Sequence, residues 1–356
     1  MTDTIEPPEL APVRPGEELD WASLAAYLHQ HIPELTGAME VLQFPSGSAN
    51  LTYRLQFGDT ELVLRRPPFG VVAPGAHDMR REFRVLSRLW RHFDRAPRAY
   101  VFCDDHDVIG ADFVVMERRR GEVIRGVVPA SMAGYPDVGR RISFALVDAM
   151  AEMHVLDPYA IDLGDLGKPA GFAARQVAGW KTRWELVRPD DGPPQMDELP
   201  DRLAAMLPEP TRVSIVHNDL KLDNCQFDPK DPDRVQSIFD WDMTTLGEPL
   251  VDLGTLLNYW PDPTDPPTAR RVSHEGLLTM GLPTRAEVVA RYAERTGIDC
   301  SSAGWYEAFA QWKTGVVIQQ LHNRWKRGES TDPRMAVIAD RLPDLASTAS
   351  ELLDNL

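Results

Sequence analysis

Residues 215–224 constrain what this chain can fold into more than any other segment. They read Ile-Val-His-Asn-Asp-Leu-Lys-Leu-Asp-Asn, so an apolar pair runs directly into a polar loop. A second apolar run, residues 235–239, follows after a short gap and ends at Asp240. The two runs predict a pair of strands whose ends present an acid, a lysine, an amide and a second acid. Such residues are common in ordinary turns, but their spacing and the second acid favour a reactive site.

This set of side chains has the chemistry that phosphoryl transfer from ATP requires. One carboxylate orients the attacking hydroxyl group and accepts its proton, while an amide oxygen and a second carboxylate hold Mg²⁺ against the phosphates. A lysine neutralises the charge of the group that is transferred. The sequence therefore predicts a kinase that uses ATP and Mg²⁺.

The loop resembles the catalytic loop of the protein-kinase-like superfamily, which reads His-Arg-Asp with an asparagine five positions after the aspartate. Within that superfamily the chain is most similar to the aminoglycoside phosphotransferase-like small-molecule kinases, in the branch of the kinase domains fused to acyl-CoA dehydrogenases. The resemblance spans most of residues 35–260. It implies these roles: Asp219 as the catalytic base, Lys221 beside the γ-phosphate, Asn224 and Asp240 as Mg²⁺ ligands, and His217 and Asp252 as structural support for the loop.

The resemblance and the periodicity together predict a two-lobed α+β fold of the protein-kinase-like type, with ATP bound between the lobes. Short runs of strand-forming residues at 39–44, 51–57 and 61–65 are typical of an antiparallel meander. Helices are expected at 77–93, 139–155, 172–187 and 199–207, with three more over 285–356. We expect a flexible lead-in over residues 1–17, a small antiparallel-sheet N-lobe over 18–116, a hinge over 117–121 and a larger, mostly helical C-lobe over 122–356.

Residues of the N-lobe and the hinge are predicted to bind the nucleotide. Arg65 ends a strand that resembles the Val-Ala-Ile-Lys strand of kinases, at the position of the lysine that contacts ATP. Glu82, on the following helix, is predicted to pair with Arg65, the alternative being a solvated helix charge. Five further residues complete the prediction. Ser46, Gly47 and Ser48 lie in a loop that would bring N–H groups near phosphate, although a plain hairpin turn is the simpler reading. Met116 and Glu117 would contact adenine.

The acceptor is predicted to be a small molecule that carries a hydroxyl group. Only nine residues separate Asp242 from Asp252, which leaves no room for the activation segment on which protein kinases bind peptides. Asp242 itself could assist the metal, meet the substrate or stabilise the loop. Residues 313–327 carry a positive net charge, whereas the whole chain is acidic. Lys313 or Arg324 is predicted to bind the anionic end of a hydroxy acid or hydroxyacyl-CoA, the alternative being that cations here stabilise a helix C-terminus.

Composition and charge bear on the binding partners and the cellular location of the protein. The chain has a net charge of -16 and a pI of about 5.0, which argues against nucleic acid or an anionic membrane as a partner. Three cysteines without a metal-like spacing, and the lack of an apolar run of membrane-spanning length, predict a cytoplasmic protein. Two other functions stay open, namely an aminoglycoside or choline-type amino-alcohol kinase, and a catalytically inactive ATP-binding module that acts as a regulator.

Overall fold

The computed structural model describes residues 9–45, 50–70, 77–265, 273, 276–330 and 332–356. The chain forms two compact units. The first unit comprises Met1–Arg120 and Gln236–Thr244, and the second comprises Gly121–Val235 and Thr245–Leu356. The loop that carries Asp219 therefore belongs to the second unit, whereas Asp240 belongs to the first.

A five-stranded antiparallel sheet organises the first unit. The elements of this unit are α1 (Trp21–His31), β1 (Met39–Gln43), β2 (Leu51–Phe57), β3 (Thr60–Arg66), α2 (Met79–Leu89), β4 (Ala99–Cys103), α3 (His106–Ile109) and β5 (Phe113–Glu117). The strand order is β1-β2-β3-β5-β4. Gly58, with a φ of 54°, makes the tight turn between β2 and β3, a backbone conformation that favours glycine. The three predicted strands are confirmed to within one residue at each end.

Helix α1 packs against this sheet through an apolar stripe. Leu24 and Leu28 have no exposed surface and lie in one hydrophobic core with Tyr53, Leu55 and Phe57 of β2. These three β2 residues alternate along the strand, so they point to the same face of the sheet. The alternation of apolar and polar residues along β2 thus identifies the face of the strand that helix α1 covers.

Residues 9–17, which we expect to be part of a flexible lead-in, are bonded to the sheet. Ala11 and Gln43 pair as an isolated antiparallel bridge at the end of β1. The hydroxyl group of Tyr53 donates to the carbonyl oxygen of Glu17 at 2.7 Å. This part of the lead-in therefore lies along the edge of the sheet.

Residues 236–244 group with the first unit, whereas the sequence places them in the larger lobe. The 3₁₀ turn Trp241–Met243 packs against α2. The backbone N–H of Ile238 donates to Arg95 O at 2.9 Å, and Arg81 Nη1 donates to Thr244 O at 3.4 Å. These contacts join residues far apart in sequence, so the local pattern around Asp240 could not indicate them.

Helices make up most of the second unit, as predicted for the larger lobe. Its elements are β6 (Glu122–Val123), α4 (Val138–Val155), α5 (Phe172–Val187), α6 (Gln195–Ala205), β7 (Ser214–Val216), β8 (Cys225–Asp228), β9 (Asp231–Ile238), β10 (Thr245–Gly247), α7 (Leu250–Asn258), α8 (Arg285–Thr296), α9 (Ala303–Lys326) and α10 (Leu342–Asp354). The last three residues of β9 group with the first unit. Strands β7 and β10 form an antiparallel pair, and β6, β8 and β9 form a second small sheet. Across the parts of the chain that the structure describes, no helix is both long enough and apolar enough to cross a membrane.

The long helix α9 forms the centre of the second unit and packs against α7 and α10. Trp305 and Trp312 of this helix are buried. Their indole N–H groups donate to Leu203 O and Met196 O, each at 3.1 Å. The tryptophan stripe is therefore core at these two positions, while Trp325 near the end of the helix is 36 % exposed.

Candidate active site

The loop after β7 brings together Asp219 and Lys221, which are predicted for catalysis, and Asn224, which is predicted as a Mg²⁺ ligand. Strand β7 is buried and pairs with β10, so the start of the loop is held in place. Lys221 Nζ lies 2.6 Å from Asp219 Oδ2. Asn224 Nδ2 donates to the same oxygen at 2.9 Å and to the carbonyl oxygen of Asp219 at 2.7 Å. The 3₁₀ turn Leu222–Asn224 produces this geometry because it folds the asparagine back toward the aspartate.

The ammonium group of Lys221 is charged in this environment. Burial lowers the pKa of Lys221, but the carboxylate of Asp219, helped by Tyr259 and Asp223, raises the pKa above its usual value. Lys221 Nζ also lies 5.2 Å from the centroid of the Tyr259 ring. A permanently charged lysine beside the candidate base can balance the negative charge of a phosphoryl group.

Asp252 holds the backbone of the loop through both of its carboxylate oxygens. Its Oδ2 accepts from His217 N, and its Oδ1 accepts from Asn218 N, each at 2.6 Å. His154 Nε2 lies 3.1 Å from Asp252 Oδ2, and His154 Nδ1 lies 2.7 Å from the hydroxyl oxygen of Tyr292. These bonds keep Asn218 in a left-handed backbone conformation, with a φ of 69°, immediately before the candidate base.

The carboxylate of Asp252 is ionised although it is buried. Burial raises the pKa of Asp252, but the hydrogen bond from His154, the nearby His217 ring and the His217 N–H together hold that pKa below its usual range. The His217 ring adds one more contact, since its Nδ1 accepts from Asp219 N at 3.3 Å. His217 and Asp252 thus make the kind of contacts that support a loop.

His154 is a residue of this network that sequence reasoning missed. It ends α4 and has no exposed surface, and it lies 98 positions before Asp252. The one signal in the sequence is a histidine at the end of an apolar helix, which more often indicates packing than a role in a site. Its link to the loop runs through Asp252, so only the tertiary structure could reveal it.

In the first unit, Arg65 forms the ion pair with Glu82 that the sequence predicts. The other terminal nitrogen of Arg65 donates to Asp240 Oδ1 at 2.5 Å. Arg65 and Glu82 are buried, whereas the side chain of Asp240 is 30 % exposed. Burial raises the pKa of Glu82 to about 7 against the opposing charge of Arg65, and the charges of Asp242 and Asp240 act in the same direction as burial. One guanidinium group is therefore shared by two carboxylates.

Asp242 contributes to the electrostatics of the same unit and is held by Asn50. The Asn50 amide donates to Asp242 Oδ2 at 3.3 Å. Burial and the charge of Asp240 raise the pKa of Asp242. Asn50 is the last residue of the loop over 45–50 that we expect to approach phosphate, and the sequence predicted no role for its side chain. The three residues named for that loop, Ser46, Gly47 and Ser48, lie outside the residues that the structure describes.

The predicted adenine contacts, Met116 and Glu117, lie at the end of β5. Met116 is buried and pairs with Val63 of β3 in the antiparallel register. The backbone N–H of Glu117 donates to Arg98 O at 2.8 Å, and the Glu117 carboxylate accepts from Arg98 N at 3.1 Å. The carboxylate of Glu117 also lies 2.9 Å from Arg119 Nε, so both of its oxygens already have partners and a contact with adenine would use the backbone after it.

Lys313 and Arg324, both on α9, lie in different surroundings. Lys313 is partly buried, and its Nζ donates to the carbonyl oxygen of Asn218 at 3.2 Å and lies 5.6 Å from the centroid of the Trp180 ring. Burial lowers the pKa of Lys313. The side chain of Arg324 is 56 % exposed and lies 3.7 Å from Glu329. The structure therefore places Lys313 against the catalytic loop and Arg324 at the surface near the end of the helix.

Asn224 and Asp240 have the donor atoms that Mg²⁺ prefers. Asn224 uses its amide nitrogen for both bonds to Asp219, which directs its oxygen away from that residue. Asp240 is partly exposed and offers a carboxylate. No group of three or more His, Cys, Asp or Glu side chains is placed to hold a metal ion anywhere in the described ranges. A small number of protein ligands is typical of Mg²⁺, because this ion is usually bound together with substrate phosphates and water.

The chain is similar to proteins of known family along most of its length. Residues 40–288 match the family model described as the phosphotransferase enzyme family. Acyl-CoA dehydrogenase family member 11 from Rattus norvegicus is 33 % identical over 98 % of this chain and 44 % of its own length. The chain therefore spans less than half the length of that relative.

Two solved structures have a similar fold. A provisionally named aminoglycoside phosphotransferase from Ralstonia eutropha JMP134 has a TM-score of 0.79 and 29 % identity, covering 95 % of this chain and 99 % of its own. A thermostable mutant of the aminoglycoside phosphotransferase APH(4)-Ia, in a ternary complex with AMP-PNP and hygromycin B, has a TM-score of 0.57 and 14 % identity, covering 93 % of this chain and 98 % of its own. These similarities confirm the predicted α+β fold of the protein-kinase-like type. The chain belongs to the phosphotransferase enzyme family, in the branch whose relatives include acyl-CoA dehydrogenase family members.

Proposed function

We propose that this chain transfers the γ-phosphoryl group of ATP, bound with Mg²⁺, to a hydroxyl group of a small molecule that is a hydroxy acid or a hydroxyacyl-CoA. The observation that carries the proposal is the fixed carboxylate of Asp219. Lys221 and Asn224 hold one of its oxygens, and Asp252 holds the backbone that precedes it. A carboxylate oriented in this way is what a general base for an alcohol requires.

In the proposed reaction, Asp219 accepts the proton of the acceptor hydroxyl group. The hydroxyl oxygen then bonds to the γ-phosphorus while the bond from that phosphorus to the bridging oxygen breaks, which releases ADP. Lys221 is charged at neutral pH and balances the charge of the transferred group. Asn224 and Asp240 are the residues that would hold Mg²⁺, which supplies positive charge to the phosphates when it is bound.

The first unit is proposed to bind the nucleotide. Arg65 would contact a phosphate through its planar guanidinium group, in an orientation set by Glu82. The backbone after Met116 and Glu117 would bind adenine, and the loop of Ser46, Gly47 and Ser48 would approach the phosphates. Because Arg65 also contacts Asp240, binding of a cation by Asp240 would release guanidinium donors for the phosphates.

The region that follows Asp240 supports a small acceptor. The residues between Asp242 and Asp252 form the end of a 3₁₀ turn, the short strand β10 and the start of α7. They leave no segment that could serve as a platform for a peptide. The similarity to acyl-CoA dehydrogenase family members supports an acyl acceptor, whereas the hygromycin B complex named for APH(4)-Ia supports an aminoglycoside kinase as the second candidate.

Turnover of Asp219→Asn tests the proposal. The substitution removes the base but keeps a side chain of the same shape, so the turnover number should fall by about 10²–10⁴-fold while ATP affinity, measured by calorimetry, changes little. Asp190→Asn, at an exposed position, is the matched control and should keep full activity. ADP release should be screened against hydroxy acids, hydroxyacyl-CoAs and aminoglycosides. Full activity of Asp219→Asn, or ADP release with aminoglycosides alone, would overturn the proposal.

A further inference from the structure

A cleft of about 480 Å³ opens beside the catalytic loop in the second unit. Lys221, Leu222 and Asp223 of the loop form one wall of the cleft. The other walls are largely apolar and include Leu256, Trp260 and Ile338. The volume lies within the range of roughly 300–1,000 Å³ that is usual for sites that bind small organic molecules. A molecule in this cleft would therefore lie next to the residue that pairs with the candidate base.

The charged residues of the cleft differ in whether a protein group already neutralises them. Lys221 is paired with Asp219. Arg334 is paired with Asp332 at 2.6 Å, and its side chain is 79 % exposed. Arg341 directly precedes α10 and is partly buried, and its side chain makes neither a hydrogen bond nor an ion pair with any residue that the structure describes. Its guanidinium group is thus the cation of the lining that lacks a counter-ion within those residues.

The aromatic surface of the cleft is unsuited to a cationic ligand. An ammonium ligand would favour the face of an aromatic ring such as Tyr259, but Lys221 Nζ already lies 5.2 Å from the centroid of that ring. Among the residues that the structure describes, three cations and one acid, Asp223, line the cleft. Like charges in a partly enclosed space repel, so the lining favours an anion over an amino alcohol.

We propose that this cleft binds the acceptor, that the acceptor is a hydroxy acid with an apolar chain and a free carboxylate, and that Arg341 binds that carboxylate. A guanidinium group pairs with a carboxylate through two parallel hydrogen bonds, which fixes both position and orientation. The apolar walls bind the chain by removing it from water. The transfer step rests on the proposed function, but recognition of the acid by the cleft does not. A CoA thioester of the same acid lacks the carboxylate and loses this contact.

Equilibrium binding without ATP tests the site separately from catalysis. The probes are hexanoate, its methyl ester and hexanoyl-CoA, each titrated into the whole chain by calorimetry. Arg341→Gln should weaken the binding of hexanoate by about tenfold or more, because a charge-assisted pair is lost, and should not change the binding of the methyl ester. Arg341→Lys keeps the charge but not the paired geometry, so hexanoate affinity should be intermediate.

Arg140→Gln is the matched control, because Arg140 is an exposed arginine that is already paired with Glu287 and does not line this cleft. Its affinity for hexanoate should stay within twofold of the unsubstituted chain. The proposal is overturned if Arg341→Gln and Arg140→Gln bind hexanoate equally well, or if hexanoyl-CoA binds more tightly than hexanoate and is insensitive to Arg341→Gln. If hexanoate binds as expected but hydroxyhexanoate with ATP gives no ADP, the acid site stands and the proposed transfer fails.

Discussion

The buried carboxylate of Asp252 makes the free energy of unfolding of the second unit depend on pH. Its pKa is held below the usual range in the folded chain, so the unfolded chain binds the proton more readily. The stabilisation is therefore complete above the unfolded pKa of about 3.9 and is lost as the pH falls through the folded value. We expect the free energy of unfolding of the wild-type chain to fall as the pH is lowered below about 4.

Asp252→Asn should reduce that acid dependence by the part that Asp252 contributes. It should also lower the free energy of unfolding at pH 7 by about 2 kcal/mol or more, because an amide cannot replace a carboxylate that accepts three hydrogen bonds. The measurement is urea unfolding between pH 3 and pH 7. Asp233→Asn, which breaks an exposed pair with Arg141, is the control and should change stability by less than about 1 kcal/mol. Equal acid sensitivity of Asp252→Asn and the wild type would contradict the assignment.

Single residues differ in how far the sequence could predict their contacts. The cluster of Asp219, Lys221 and Asn224 was predictable because its members lie within one short loop whose spacing has a chemical meaning. The pair of Arg65 and Glu82 was also predictable, since a strand followed by an amphipathic helix resembles the start of a kinase lobe. The link between Asp252 and His154 and the contact of Asn50 were not predictable, nor was the fact that the Arg341 side chain pairs with no residue that the structure describes. Each depends on residues brought together only by the tertiary fold.

Helices α7 and α9 approach each other closely because Gly254 has no side chain. A Cβ atom at this position would lie 2.4 Å from both the carbonyl carbon and the carbonyl oxygen of Tyr306. Backbone atoms of a packed helix cannot move aside cheaply, so Gly254→Ala must push α7 and α9 apart. We expect this substitution to lower the free energy of unfolding by about 1–3 kcal/mol, measured by urea denaturation.

Gly179 of α5 provides the control for Gly254. It is exposed, and a Cβ atom there would meet nothing within 4 Å among the described neighbours. Gly179→Ala should therefore raise the stability by up to about 1 kcal/mol, because alanine has the higher helix propensity. If both substitutions change stability in the same direction, close packing at Gly254 is not the cause of the effect.

Helix α6 shows why some element boundaries could not be predicted. The sequence predicts a helix over 199–207, but α6 begins at Gln195 and continues through Pro200. A proline inside a helix leaves the carbonyl group four positions earlier without its usual donor. Here that carbonyl belongs to Met196, and the indole N–H of Trp312 donates to it at 3.1 Å. A tertiary contact thus supplies the bond that local propensity lacks, whereas α5 matches its predicted span, 172–187, because its pattern is uninterrupted.

The two units differ from the lobes expected along the chain in one respect that bears on function. The sequence assigns all residues from 122 onward to the larger lobe, yet residues 236–244 group with the first unit. Asp240 and Asp242 are thereby built on the same unit as Arg65 and Glu82. The acids that would handle the metal are therefore positioned by the unit that would bind the nucleotide, while Asp219 and Lys221 are positioned by the other unit.

The charge of the whole chain predicts how salt affects the association of ATP. A net charge of -16 repels an anionic nucleotide at long range, whereas Arg65 attracts it only at short range. The screening length is about 30 Å at 0.01 M salt and about 8 Å at 0.15 M, so added salt removes the long-range repulsion first. The association rate constant for a fluorescent ATP analogue, measured by stopped flow with Mg²⁺ held constant, should therefore rise over this range. The matching uncharged adenosine analogue should show no such rise. A rate constant for the ATP analogue that falls with salt would mean that local positive charge, and not the net charge, governs the approach of the nucleotide.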